Sequence, residues 1–267
     1  MSSPHELFRD GQLGAALEAQ IAAVKSGPTD ADERLLLFVL LCFSGDLERA
    51  IIHLDTLVTL EDATKGGASV YHSLVAAEFE RQKVYSGTGA PNLPPGDFPG
   101  LAERAEALQA ASRGDAAAVA KALDAASAAS GDQPGRIDDR EFEGLCDYDD
   151  LLGNVFEVYA GGRYMWIPHA DVVRIDISEP KSPLDLIWVP AEIERVDGEE
   201  SNVHLPALYA TSAAHDDDAI RLGRSTEWIE IGDELFRGVG QKMLFGATGD
   251  DTFDKGLLET RSIVFSR

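Results

Sequence analysis

The feature that most constrains this chain is a helical motif that recurs in its first half. The segments "DGQLGAALEAQIAAV" and "SGDLERAIIHLDTLV" place their glycines at Gly11 and Gly45. This separation is about 34 residues, the period that is typical of tetratricopeptide-type helical hairpins. A third copy, "RGDAAAVAKALDAAS", has its glycine at Gly114, close to two such periods further along the chain. One divergent unit is therefore expected between the second and third copies.

Each copy carries apolar residues at helical spacing. In the first copy these include Leu13, Leu17 and Ile21. A glycine before the second helix suits a tight turn, because glycine adopts left-handed backbone conformations freely. The stretch 86–100 holds four prolines and four glycines and predicts a long surface loop. Helices should resume over 101–129. Such hairpins must stack to bury their apolar faces.

The second half has the pattern of β-strands. Short segments such as "RYMWIP", "DLIWVPAEIERV" and "RSIVFS" are rich in β-branched and aromatic residues and are bounded by turns. Asp197-Gly198 lies between two of them, which indicates a hairpin. The fold class predicted is therefore α+β: an N-terminal TPR-like helical-hairpin array followed by a mainly antiparallel curved β-sheet or small barrel domain.

Charge divides the chain into three parts. The formal net charge is −24, of which residues 137–162 carry −7, with one basic and 8 acidic residues. We therefore predict a TPR-like helical domain over 1–136, an acidic connecting segment over 137–162 and a β-rich domain over 163–267. So negative a chain is a poor partner for nucleic acid or for an anionic membrane surface.

Other sequence signals argue against several classes of function. The longest apolar run, Leu35 to Phe43, is far shorter than the roughly 20 residues that a membrane-spanning helix needs, and the charged N-terminus does not resemble a signal peptide. The two cysteines, Cys42 and Cys146, have no zinc-binding spacing. They indicate a reducing, cytoplasmic compartment. The chain shows no P-loop, HExxH or nucleophile-elbow motif, so no catalytic residue, cofactor or metal is predicted.

The stretch "HDDDAIRLGRSTEW" raises a question of its own. His215 to Asp218 could bind a cation, but it lacks the alternating spacing of a calcium loop, and a solvated acidic loop is favoured. Arg224, Thr226 and Trp228 follow at period two, so an extended chain would place them on one face. If Arg224 were partly buried it would need a carboxylate partner, and Asp185 is our candidate.

Several strings of the second half resemble the ImpE/SciE family, which is also called TagJ. They are "GRYMWIP", "PLDLIWVPAEI", "LPALYATS", "RLGRSTEW" and "GVGQKML". The helical half with "GDLERAIIHLDTL" fits as well, so the resemblance covers nearly the whole chain. The segments "HADVVRIDIS" and "IEIGDELFRG" depart from the pattern only locally.

This resemblance implies a non-enzymatic, cytoplasmic accessory protein of the bacterial type VI secretion system. It also implies a partner, the N-terminal helix of the small subunit of the contractile sheath, and through it a link to sheath disassembly by a AAA+ unfoldase. The partner-binding residues predicted are Arg224, Trp228, Tyr209 and Trp188.

The residues themselves are compatible with such a role. A helical array offers a groove to an amphipathic helix, and an acidic protein favours a helix that carries Lys or Arg. Two alternatives stay open: a generic helical-repeat scaffold with another partner, and a metal-dependent hydrolase using His204, His215 and nearby acidic residues. The binding face also stays open between the helical groove, the Trp-bearing sheet and the cleft between them.

Overall fold

The computed structural model describes residues 2–60, 65–232 and 234–266. The helices in these ranges are α1 (Pro4–Arg9), α2 (Leu13–Ser26), α3 (Ala31–Phe43), α4 (Leu47–Leu60), α5 (Lys65–Tyr85), α6 (Leu101–Ser112), α7 (Ala116–Ala129) and α8 (Asp218–Arg221). The strands are β1 (Gly135–Ile137), β2 (Arg140–Phe142), β3 (Gly144–Asp147), β4 (Val155–Ala160), β5 (Arg163–Pro168), β6 (Val172–Ile177), β7 (Trp188–Arg195), β8 (Glu200–Pro206), β9 (Thr226–Gly232), β10 (Leu235–Gly240), β11 (Met243–Thr248), β12 (Asp251–Gly256) and β13 (Ser262–Phe265). Helices α1 to α7 precede the strands, as predicted for the α+β class, and the short α8 lies between β8 and β9.

The recurring motif forms three helical hairpins, α1–α2, α3–α4 and α6–α7. Their turns pass through Gly11, Gly45 and Gly114, which have φ values of 84°, 74° and 69°. Side chains with a Cβ avoid this left-handed region, which explains the glycine of each copy. Asp115 accepts a hydrogen bond from the N–H of Ala118 and so caps α7.

The divergent unit between the second and third copies is a single long helix and a loop. Helix α5 has 21 residues and packs against β4 and β5 of the sheet. The predicted loop follows it over residues 86–100. Asn92 in this loop accepts a hydrogen bond from the N–H of Trp166 at 2.9 Å. The loop therefore covers part of the β5 edge of the sheet.

The main sheet is antiparallel and open. Its eight strands follow the order β2-β1-β13-β6-β7-β8-β4-β5, and every neighbouring pair is antiparallel. Because β2 and β5 are its two ends, the sheet does not close on itself, and the small-barrel alternative is wrong. Smaller sheets join β12-β11-β3 and β10-β9.

Both faces of the main sheet are buried. Tyr164, Trp166 and Trp188 pack into one apolar cluster with the helices, whereas Val158 and Val189 pack into a second cluster on the other face. Successive side chains of a strand point to opposite faces, so neighbours such as Trp188 and Val189 enter different cores.

The acidic segment 137–162 is built into the sheets. It supplies β2 and β4 to the main sheet and β3 to the three-stranded one. Three of its carboxylates, Asp147, Asp149 and Glu157, are buried. The negative charge of this segment is therefore partly internal, and the division into domains at residues 136 and 162 stays a prediction.

No helix among the described residues is both long and apolar enough to cross a membrane.

Two hairpin glycines provide a matched test of the helical array. A Cβ at Gly114 would contact nothing within 4 Å, whereas a Cβ at Gly45 would lie 2.9 Å from the Cβ of Ala213. Gly114→Ala should lower the free energy of unfolding by about 1–2 kcal/mol through backbone strain alone. Gly45→Ala should cost about 1–3 kcal/mol more because of the added steric overlap. Urea unfolding measures both, and equal losses would contradict this packing.

Candidate functional site

A buried ion pair joins helix α5 to the main sheet. Arg81 Nε and Nη2 donate to the two carboxylate oxygens of Glu157 in β4, at 2.8 and 2.9 Å. Arg81 Nη2 also donates to the carbonyl of Leu208 at 2.9 Å. Both charged side chains are buried. Two parallel hydrogen bonds fix orientation as well as distance, so this pair determines how α5 sits on β4.

Lys242 extends the ion pair toward β3. Its Nζ lies 2.7 Å from Glu157 Oε2 and 3.0 Å from Asp147 Oδ2. Burial by itself would raise the pKa of Glu157, but Arg81 and Lys242 outweigh it and hold that pKa far below its ordinary value. Burial would likewise lower the pKa of Lys242, and the Asp147 and Glu157 carboxylates outweigh it. Both partners are therefore charged at neutral pH.

Aromatic hydroxyls complete the coordination of Glu157. Tyr164 and Tyr85 donate to Glu157 Oε1 at 2.5 and 3.1 Å, and Trp166 Nε1 donates to the Tyr164 hydroxyl at 2.6 Å. Burial raises the pKa of both tyrosines well above its usual value, so they stay neutral donors. The polar atoms of this network are paired with one another, which suits it to holding elements together.

Two of the four predicted partner-binding residues lie in the interior. Trp188 is 1% exposed, and its Nε1 lies 3.4 Å from a carboxylate oxygen of Glu78. Tyr209 is 3% exposed, and its hydroxyl donates to Asp147 at 2.8 Å. Neither side chain lies at the surface of this structure, and the partner-binding role of these two residues stays a prediction.

Arg224 is exposed and binds the C-terminus of helix α1. Its Nη2 donates to the carbonyls of Phe8 and Arg9 at 3.1 and 2.8 Å. A cation there also offsets the negative end of the helix dipole. The predicted pairing with Asp185 is wrong, because the Asp185 carboxylate instead accepts hydrogen bonds from the backbone N–H and hydroxyl of Ser182.

The carboxylates of the His215–Asp218 stretch bind helix N-termini. Asp217 caps α8 by accepting from the N–H of Ala219 at 2.8 Å. Asp218 accepts from the N–H of Gly14 in the first turn of α2, at 3.0 Å, where Gln12 supplies no side-chain cap. The α1–α2 hairpin is therefore held at two helix ends by opposite charges. Asp218 binds the N-terminus of α2, and Arg224 binds the C-terminus of α1.

The histidines of the hydrolase alternative have separate surroundings. His204 in β8 lines a groove with Asp185 beside α5, whereas His215 Nε2 lies 3.7 Å from Glu227. In the described ranges, no group of three or more His, Cys, Asp or Glu residues is placed to hold a metal ion.

A surface groove of about 410 Å³ lies beside Trp228, and we call it the Trp228 groove. Its lining residues are Tyr148, Gly223, Arg224, Ser225, Thr226, Trp228, Gln241, Met243 and Asp254. Arg224, Thr226 and Trp228 share this side of the molecule, which agrees with their period-two spacing. Trp228 is 39% exposed, and its ring centroid lies 5.1 Å from that of Tyr148.

The Trp228 groove has an aromatic wall and one carboxylate, Asp254, among its lining residues. The Tyr148 hydroxyl donates to Asp254 Oδ1 at 2.5 Å. Burial, and then Asp254, raise the pKa of Tyr148 to about 12, so the Tyr148 hydroxyl keeps its proton and stays the donor. An aromatic surface beside a carboxylate can take an apolar side chain together with a Lys or Arg head group.

Sequence reasoning missed the buried ion network and most of the groove. One signal was present for Glu157, because a charge in the middle of the apolar strand "VFEVYA" requires a buried partner. Its partners Arg81 and Lys242 carry no comparable signal. Tyr148 and Asp254 stand far apart in the sequence, and no local pattern joins them.

Comparisons with known proteins agree along most of the chain. Residues 139–264 match the family model described as ImpE protein. The chain is 35% identical over 249 residues to "Type VI secretion system accessory component TagJ" of Pseudomonas aeruginosa, covering 92% of this chain and 86% of that protein. The fold matches a crystal structure of protein VPA1032 from Vibrio parahaemolyticus with a TM-score of 0.90 and 26% identity, over 99% of this chain and 97% of the other.

The capping role of Asp218 is testable within its own acidic stretch. Asp218→Ala removes the acceptor for Gly14 N–H and the partner of Arg221, which lies 2.9 Å away. We expect the free energy of unfolding to fall by about 1 kcal/mol. Asp216→Ala is the matched control, because this exposed neighbour caps neither helix, and its effect should lie within about 0.5 kcal/mol of zero. Similar urea midpoints for the two variants would argue against the cap.

Asp149 makes stability depend on pH. Burial, and then the nearby Asp147, raise the pKa of Asp149 to about 7 in the folded protein. The folded state therefore holds a proton on Asp149 that the unfolded state releases near pH 4. The stability that this proton contributes is present at low pH and is lost as pH rises toward 7.

Asp149→Asn should remove this dependence. From pH 5 to pH 8, the unfolding free energy of the wild-type protein should fall relative to the variant by about 2 kcal/mol. Comparing the two proteins cancels titrations that they share. Glu157 acts with the opposite sign, because its depressed pKa contributes stability that is lost as pH falls below about 4.5, outside this window. Parallel stability profiles would contradict the raised pKa.

Proposed function

This chain belongs to the ImpE family, and we propose that it serves as an accessory component of a bacterial type VI secretion system. The observation that carries this proposal is the identity with the accessory component TagJ across 92% of the chain. The similarity extends through helices and strands alike, and it therefore supports a shared role as well as a shared fold.

The partner we propose is the small subunit of the contractile sheath, bound through its N-terminal helix. This partner is the one implied by the family resemblance. Binding there would connect the chain indirectly to the AAA+ unfoldase that takes the sheath apart. The role is a binding role in the cytoplasm and needs no cofactor and no catalytic group.

The Trp228 groove is the surface that we assign to this helix. An amphipathic helix presents an apolar stripe three or four residues apart, and Trp228, Tyr148 and Met243 offer apolar surface to receive it. The carboxylate of Asp254, which also lines the groove, favours Lys or Arg beside the stripe. A generic scaffold would use the same groove for another partner, so the identity of the peptide decides between the two. No arrangement among the described residues favours the hydrolase.

The test is calorimetric titration with a synthetic peptide of the small sheath subunit's N-terminal helix. Trp228→Ala should weaken binding about thirtyfold, the loss of one aromatic hot spot. Ile229→Ala is the matched control. This neighbour on β9 is also exposed, but it points to the opposite face, and the affinity should stay within about threefold of wild type.

Each result separates one part of the proposal. One-to-one binding that Trp228→Ala weakens and Ile229→Ala leaves intact would support both the partner and the groove. Binding that neither variant changes would show that the helix binds at another face of the protein. A helical, soluble peptide that does not bind would remove the proposed partner.

A further inference from the structure

The hairpin β9–β10 has an edge that is open to a further strand. It is a sheet of two strands, and β9 pairs with β10 alone among the described strands. Strand edges that carry unpaired N–H and C=O groups are templates for added strands, and proteins normally cover or twist them. The backbone geometry of this hairpin shows which groups of β9 are unpaired.

Strand β10 is held from its far side. The backbone N–H groups of three of its residues bind groups beyond the hairpin: Phe236 to Asp150 Oδ2 at 2.6 Å, Gly238 to Asp149 Oδ2 at 3.3 Å and Gly240 to Ser212 Oγ at 2.8 Å. These N–H groups therefore point away from β9.

The register of the hairpin shows which backbone groups of β9 also point outward. Phe236, Gly238 and Gly240 stand opposite Glu230, Trp228 and Thr226. In an antiparallel pair, residues directly opposite one another either exchange both hydrogen bonds or both point outward. Glu230, Trp228 and Thr226 therefore direct their N–H and C=O groups to the free edge. Within the described ranges, no backbone hydrogen bond from outside the hairpin reaches them.

Elsewhere in the described residues, loops or helices cover backbone groups at sheet edges. None of them covers the first part of β9. Asn92 of the 86–100 loop covers part of the β5 edge. The far end of β9 meets helix α7, where a Cβ on Gly232 would lie 2.5 Å from that of Ala116. The open stretch is thus 226–230, about 14 Å of strand at the usual rise per residue.

The side chains of this stretch select the occupant. Glu227 and Glu230 are exposed and negative, and the whole chain carries a net charge of −24. A second copy of this chain would bring like charges together, whereas a segment with Lys or Arg would bring opposite ones. Trp228 and Ile229 are 39% and 48% exposed on opposite faces of the strand, so each face also offers an apolar contact.

We propose that residues 226–230 form a docking edge for an extended, Lys- or Arg-bearing segment of a partner protein, which adds a third strand to the β9–β10 hairpin. Main-chain hydrogen bonds would supply affinity, and alternating side chains would supply specificity. This edge is distinct from the Trp228 groove, which receives side chains, and the inference does not require the sheath subunit to be the partner.

The test uses one proline placed on the free edge. Because the N–H of Glu230 points away from β10, Glu230→Pro removes an edge donor and leaves the hairpin ladder intact. Glu230→Ala is the matched control, since it removes the same charge and keeps the N–H. The probe is an acetylated and amidated octapeptide of alternating Lys and Val. The control peptide has Pro at two of the Val positions and so does not form a strand.

Tryptophan fluorescence follows the binding, and hydrogen exchange locates it. Trp166 and Trp188 are 0% and 1% exposed, so a change in emission reports on Trp228. We expect saturable binding to the wild-type protein and to Glu230→Ala, with slower exchange of the Trp228 amide. Glu230→Pro should bind about tenfold more weakly than Glu230→Ala, the effect of one lost hydrogen bond.

Several results would overturn the inference. One such result is equal affinity of Glu230→Pro and Glu230→Ala for the Lys-Val peptide, and another is equal binding of the two peptides to the wild-type protein. Either result would show that charge attraction alone, without strand pairing, explains the binding. Absence of saturable binding to the wild-type protein would remove the docking edge. A concentration-dependent dimer that Glu230→Pro dissolves would replace the proposed occupant by a second copy. Heat from the sheath-helix peptide should be the same for both Glu230 variants, so the two proposals fail separately.

Discussion

The arrangement of this molecule depends on one buried ion network. Arg81 of α5 binds Glu157 of β4, and Lys242 binds both Glu157 and Asp147 of β3. Moving such charges out of water is costly, and only close, fully hydrogen-bonded partners offset that cost. Each element that contributes a charge must therefore keep its position, since displacement would leave an unpaired charge in the interior. The helical array, the main sheet and the smaller sheet meet at these contacts.

Charge also places the parts farther from this network. Asp218 and Arg224 lie close together in the sequence and bind opposite helix ends of the α1–α2 hairpin. Asp149 and Asp150 bind the backbone of β10 and fix one side of the β9–β10 hairpin. These contacts leave the other side of that hairpin, and the Trp228 groove next to it, facing solvent. The surfaces proposed for partners thus lie on an element that the carboxylates of Asp149 and Asp150 hold in place.

The acidic residues have different roles in the interior and at the surface of the protein. Glu157 and Asp147 are internal and neutralised by cations, and Asp149 is internal with a pKa of about 7. Glu227 and Glu230 are at the surface, where charge acts on partners through attraction and repulsion. A count of acidic residues along the chain does not separate these roles, which is why the charge of segment 137–162 gave no sign that this segment supplies strands to the sheets.

The sequence by itself determined the local structure: the hairpin glycines, the Pro- and Gly-rich loop, the turn at Asp197-Gly198 and the change from helices to strands. Each follows from the conformational preferences of neighbouring residues or from hydrophobic periodicity. Only the tertiary structure decided which exposed residues share a surface. Tyr148 meets Trp228, and Arg224 meets α1 in place of Asp185, because these contacts join segments far apart in the chain. Such pairings depend on how the sheet stays open and how helices pack on it, and no local pattern encodes them.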